Sequence, residues 1–190
     1  MAAGQGRDRR TELAERATDY ALEHGIAGLS LRPLAAALGT SDRMLVYHFG
    51  GKDPLVAEVI ERSNARSVAV LDSLPAGRTP RSAVLALWAS WREPVVDRCL
   101  RVYAQAAALG LLGQEPYLGA ARRANVEWTR AVTAYLERSG VPRGRADRVG
   151  ELVDATLFGL WIDRPVDDGT GTAGRVVRDL AGTVARISAG

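Results

Sequence analysis

Lysine is almost missing from this chain: of 25 basic residues 24 are arginine, and the one lysine is Lys52. Cysteine occurs once, at Cys99, and histidine twice, at His24 and His48. An internal disulfide is therefore excluded, and no cluster has metal-ligand spacing, so neither a metal nor another cofactor is expected. Cysteine usage of this kind fits a reducing compartment, and the cytoplasm is the expected location. No window approaches the ~18 uncharged apolar residues of a membrane span. The opening MAAGQGRDRR puts charges where a secretory signal carries an apolar core, so a soluble, unexported protein with no membrane partner is expected. An excess of one charge is lacking too. Residues 1–52 hold seven Arg or Lys against six Asp or Glu, and the formal charge of +3 on the whole chain decides nothing about a polyanionic partner.

What is present is enough for a core. With 47% hydrophobic residues in 190, the chain fits one or two globular domains. No short alternating run is bounded by turn residues on both sides, which excludes a sheet and predicts an all-α fold. No Ser, His and Asp arrangement or carboxylate pair with a local signature appears, so an enzyme is not expected.

Residues 1 to about 7 read as a disordered tail, although Arg7, Arg9 and Arg10 have the composition of an arm that enters a minor groove. From about Asp8 to His24 the residues Leu13, Ala17, Tyr20 and Ala21 recur at helical spacing, and Gly25 ends the helix. Ser30 is placed to cap a second helix, with Pro33 in its first turn, Leu34 and Leu38 facing inward and Gly39 closing it. Ser41 is placed to cap a third helix running to about His48. On that helix Asp42, Arg43, Val46 and Tyr47 share one face, while Leu45 and Phe49 point the other way. Two short helices about a glycine turn, followed by a capped restart at Asp53, are the pattern of a helix-turn-helix whose second helix lies in a DNA groove.

The segment Gly25 to Leu55, ending LVYHFGGKDPL, resembles the DNA-binding region of the TetR family of transcriptional repressors. The likeness at motif level covers about residues 10 to 60; beyond them only length and helical pattern agree. It implies an N-terminal three-helix DNA-binding domain over 1–52 and a larger helical ligand-binding and dimerisation domain over 53–190. It also implies a homodimer on double-stranded operator DNA, released by a small-molecule effector. Position by position, Arg32 matches a base- or phosphate-contacting site. Thr40, Ser41, Asp42, Arg43 and Met44 match the groove-entering end of the recognition helix, Tyr47 and His48 its phosphate-facing end, and Lys52 the phosphate contact at the next helix start. The chemistry agrees: Arg43 can fork onto guanine O6 and N7, and Lys52 places charge at a helix N-terminus. Asp42 is read as a cap or a brace for Arg43, Phe49 as core, and His48 as either packing or phosphate contact. The sequence departs from the family at Val46, where a tyrosine is frequent, which leaves that phosphate contact to Tyr47.

After Asp53 a long helix reaches about Ser73, and LPAGRTP breaks it. Helices are then expected from Ser82 to about Trp91, where Pro94 interrupts; from Val95 to about Leu112; from Pro116 to Gly140; from Pro142 to about Asp163; and from Thr172 to Ile187. Trp88, Trp91, Cys99, Tyr103, Gln105 and Trp128 give this half aromatics with a few polar tips, as a small-molecule cavity needs, though each alone also suits an ordinary core. The helix from Pro142 is apolar nearly all round and carries Gly150 and Gly159. A symmetric partner is the expected cover, over Leu152, Val153, Leu157, Phe158 and Trp161 with Val177, Leu180 and Val184 of the last helix. RPVDDGTG between them reads as a flexible loop. Gly169, Gly171 and Gly174 spell G-x-G-x-x-G, but no strand precedes them and no second strand follows, so nucleotide binding is rejected. The rival reading is a helical small-molecule-binding protein whose head no longer reads DNA.

Overall fold

The structure is a computed structural model that describes residues 2–166 and 171–189, with side chains described from Asp8 onward. Helices α1 (Ala2–His24), α2 (Leu31–Ala37), α3 (Asp42–Phe49) and α4 (Lys52–Ser73) are followed by α5 (Pro80–Ser90), α6 (Pro94–Leu111) and α7 (Tyr117–Arg138). Then come α8 (Arg143–Ile162), a 3-10 turn (Arg164–Val166) and α9 (Thr172–Ala189). Among the described residues there is no strand, and no helix is long and apolar enough to cross a membrane.

Several ends differ from those expected. Helix α1 begins at Ala2 rather than near Asp8: Ala2, Ala3 and Gln5 favour helix and no proline interrupts them, but they carry no apolar stripe for periodicity to register. Lys52 is already helical, so Asp53 lies in the first turn of α4 and not at its cap, where its charge still favours the positive end of the helix. Helix α5 begins at Pro80 rather than Ser82, with Thr79 as its cap; the Thr79 and Ser82 side chains form a reciprocal capping box. Pro94 opens α6 rather than interrupting a longer helix. In RPVDDGTG the first three residues form the 3-10 turn, and the loop expected over 167–170, with Gly169 of the rejected glycine motif, lies outside the described residues.

Contacts divide the chain into residues 1–66 with 98–125 and residues 67–97 with 126–190. In the first unit, Leu13, Ala14, Ala17 and Ala21 of α1 meet Leu34 and Leu38 of α2, Leu45 and Phe49 of α3, and Leu55, Val59 and Ile60 of α4 in one buried cluster. Alanines along α1 let its neighbours approach closely. Val102 and Ala106 of α6 and Tyr117, Ala120 and Ala124 of α7 belong to the same cluster. Outside it, charges tie α1 to α4: Arg66 bonds Glu15 at 2.7 Å and Asp19 at 2.6 Å, and Arg62 pairs with both Glu15 and Glu58. The Arg66 hydrogen bond holds the Glu15 carboxyl below its usual range.

In the second unit α9 lies against α5 and α8, with Val177, Leu180 and Val184 buried. Helix α8 buries Val149, Val153, Leu157 and Trp161. Gly150 permits a close approach, since a Cβ there would stand 3.0 Å from Thr133 Oγ1, whereas a Cβ at Gly159 would meet nothing within 4 Å. Asp97 accepts from Trp161 Nε1 at 3.0 Å and pairs with Arg164, whose guanidinium lies 5.2 Å from the Trp161 ring centre.

Gln105 settles the turn after α1. Its Oε1 accepts from the backbone N–H groups of Ile26 and Ala27, at 2.8 and 2.9 Å, beside Gly25 with φ of +80°. No side chain on α1 or α2 supplies these acceptors. Gln105→Ala leaves both donors without their partner and is expected to lower stability by about 1–3 kcal/mol, read as an earlier urea midpoint at unchanged m-value.

Candidate nucleic-acid interface

Helix α3 is a two-turn element that its own ends define. After α2 the N–H of Gly39 bonds Ala36 O at 3.1 Å and that of Thr40 bonds Ala35 O at 2.9 Å, a pairing that requires the left-handed residue supplied by Gly39 at φ +66°. Ser41 then caps α3 as expected, its Oγ accepting from Met44 N at 3.2 Å. Ser30 occupies the cap of α2 without a side-chain hydrogen bond, so only half of its expected role is present. The Asp42 carboxylate accepts from Arg43 N at 2.9 Å, a bond local to the first turn.

Two residues of α3 are buried, Leu45 and Phe49, and Asp42, Arg43, Met44, Val46 and Tyr47 are exposed, Tyr47 to 78%. Leaving a tyrosine ring this far in water has no folding benefit. Arg32, Ser41 and Lys52 are exposed and Thr40 is half-buried. Among the described residues Arg32, Arg43 and Lys52 form no ion pair, unlike most arginines of α1 and α4. The head thus concentrates unneutralised cations that its net charge hides.

His48 belongs only in part to this face. Its ring packs edge-on to Tyr47 at 5.1 Å, and its Nε2 is buried with no hydrogen-bond partner. Arg10 is not available as an arm: it donates to His48 O at 3.1 Å, pairs with Glu58, and lies 5.0 Å over Phe49. Arg9 pairs with Glu12 at 2.7 Å, and the Arg7 side chain lies outside the described residues.

The six residues expected at a cavity fall in both units. Cys99, Tyr103 and Gln105 are in the first, where Cys99 is buried, Tyr103 Oη lies 3.2 Å from Asn125 Oδ1, and Gln105 is committed to the turn after α1. Trp88, Trp91 and Trp128 are in the second. Trp91 and Trp128 meet edge-to-face at 5.9 Å, Trp128 Nε1 donates to Asp154 Oδ1 at 2.6 Å, and Trp91 Nε1 is buried without an acceptor. Burial raises the Asp154 carboxyl above its usual range, against the opposing Trp128 bond. Sequence reasoning missed Asp154, although it is the one charge between Glu151 and Asp163 on an apolar helix. Of the eight residues expected at a dimer interface, Val153, Leu157, Trp161, Val177, Leu180 and Val184 are buried within the protomer; Leu152 is exposed and Phe158 half-buried.

A short, capped helix held by two buried residues and turning a cationic, aromatic face outward, on an otherwise helical chain, has the geometry of a helix-turn-helix. Residues 13–59 match the model of bacterial regulatory proteins of the tetR family. No curated protein matches the chain. Solved structures are similar over nearly its full length. A transcriptional regulator of Streptomyces coelicolor A3(2) is 26% identical, with 98% of this chain and 99% of that one covered at a TM-score of 0.70. A TetR-family regulator from a Rhodococcus species is 17% identical, with 94% and 99% covered at 0.72. The multidrug binding protein EbrR, solved with imidazole, is 22% identical, with 93% and 94% covered at 0.66. The family match is thus confined to residues 13–59, and over the rest of the chain the likeness is one of fold.

The raised Asp154 carboxyl carries a stability consequence. The folded chain holds that proton more tightly than the unfolded one, so this group's contribution is neutral below the ordinary value of 3.8 and becomes a full penalty above the raised one. Asp154→Asn, which keeps an acceptor for Trp128, is expected to raise the melting temperature at pH 7 and to lose that advantage as the pH falls toward 4, measured by thermal denaturation across pH.

Proposed function

We propose that this protein is a cytoplasmic, homodimeric transcriptional repressor that binds a palindromic operator and is released by a small-molecule effector. Residues 1–52 read DNA, and residues 53–190 bind the effector and dimerise. The observation that carries the reading is the outward face of α3 with its neighbours. Arg32, Arg43 and Lys52 stand unpaired there beside an exposed Tyr47, on a helix that Leu45 and Phe49 fix from behind. Arg43 has the donors for guanine, Thr40, Ser41 and Tyr47 for phosphate, and Lys52 charge for a phosphate at the start of α4. Met44 adds an apolar edge of the kind that meets a thymine methyl.

A two-fold dimer would set two such helices about 34–36 Å apart, one turn of B-DNA. Support for a dimer comes from α8, where Leu152, Ala155, Gly159 and Ile162 recur at helical spacing, Leu152 and Ile162 exposed to 41% and 49%. A stripe with a glycine in it suits a second helix laid alongside, with α9 beside it. An effector that binds the non-reading arrangement of the dimer more tightly lowers operator affinity by the same coupling free energy.

The reading is tested by exposing purified protein to fragmented genomic DNA of its source at ~150 mM salt and sequencing what is retained. A two-fold symmetric site supports it; uniform recovery from bulk DNA sinks it and favours a small-molecule-binding protein with an inactive head. On the selected site Arg43→Ala should cost about 1–3 kcal/mol and relax one base position. Lys52→Ala should instead weaken all sequences alike and reduce the salt slope by about one ion.

A further inference from the structure

The cluster of buried Trp91 and Trp128 with half-buried Asp154 has the chemistry of a recognition element with its ligand still to come. A carboxylate offers about four acceptor positions. Here Trp128 Nε1 takes one, at 2.6 Å, and among the described residues no Arg, Lys or His reaches Asp154 within ion-pair distance. Elsewhere in this unit the comparable acid, Asp97, has both an indole N–H and Arg164. Asp154 has the indole and lacks the cation. The two rings beside it cross at 62° with centroids 5.9 Å apart, so they are not closed face to face. Trp91 is 1% exposed, and its N–H is a buried donor with no acceptor.

We infer that Trp91, Trp128 and Asp154 recognise an organic cation that also carries an acceptor oxygen. A quaternary or protonated amine meets the carboxylate and the indole faces, and its hydroxyl or carbonyl oxygen accepts from Trp91 Nε1. This rests on the ligand-responsive reading and names the class of its effector. Desolvation of Asp154, visible in its raised carboxyl, makes the unpaired acid costly and a cation its remedy.

The test titrates the full chain with choline, with tetramethylammonium, and with 3,3-dimethyl-1-butanol, the uncharged carbon analogue of choline. Heat and intrinsic tryptophan fluorescence report binding. Choline is expected to bind about 10-fold or more tightly than the uncharged analogue, and more tightly than tetramethylammonium, which has no oxygen. Asp154→Asn should abolish the preference for charge. Trp91→Phe should keep that preference and erase the difference between choline and tetramethylammonium. Circular dichroism of both variants keeps the comparison to folded protein. Equal binding of choline and its uncharged analogue, or an undiminished preference in Asp154→Asn, overturns the inference. The same cations are added to the protein on its selected DNA. Asp154-dependent binding without DNA release keeps the site and sinks ligand-responsive repression. Release by uncharged compounds alone, with no cation bound, sinks the site and keeps the repression.

Discussion

A helix of eight residues does not hold together in water, because nucleation costs more than two turns of hydrogen bonds return. The head of this protein therefore depends on the burial of Leu45 and Phe49, the two residues of α3 that reach the cluster formed with α1, α2 and α4. Everything else about α3 follows. Since those two anchors take one face, the remaining residues point outward together, and Ser41 and the turn at Gly39 fix where the helix starts. Arg10 secures the far end by lying on Phe49 while bonding the backbone of His48 and the carboxylate of Glu58. A basic residue near the N-terminus is thus a clamp on α3.

The same economy explains a head whose charges nearly cancel. Arg10, Arg62 and Arg66 are neutralised by Glu15, Asp19 and Glu58 along the α1 and α4 pair, where they join helices. Arg9 and Arg16 are paired with Glu12 as well, so among the described side chains of residues 1–52 it is Arg32, Arg43 and Lys52 that remain as the charges a polyanion would meet. Counting residues over 1–52 mixes the two populations, which is why the sum was silent.

What was legible in the residues is what local rules control. Periodicity separated Leu45 and Phe49 from Arg43 and Tyr47, and glycines and serines marked the turn and cap of α3. Helix ends were less secure where two residues competed for one role: Thr79 and Ser82 are both capping types, and only their reciprocal bonds decide that Thr79 is the cap. The N-terminal extension of α1 had no apolar stripe to betray it. Pairings between distant positions were not legible at all. Gln105 meets the backbone of Ile26 and Ala27 across 79 and 78 residues, and Asp154 meets Trp128 across 26. Either side chain in isolation looks like a polar tip on an apolar helix, and its partner is set by packing that no spacing rule encodes.

Helix α8 was expected to be covered by a partner because it looked apolar on every side. Most of that surface is satisfied within the protomer, where Val153, Leu157 and Trp161 close the second unit. What is left over divides by face. Half-buried Asp154 bonds Trp128, and Leu152, only two residues before it, stands on the stripe that continues to Ile162. Both side chains hang from one helix, whose backbone is stiff along its length. In the proposed dimer the carboxylate that would take a cation and the stripe that would take the second protomer are therefore parts of one rigid body.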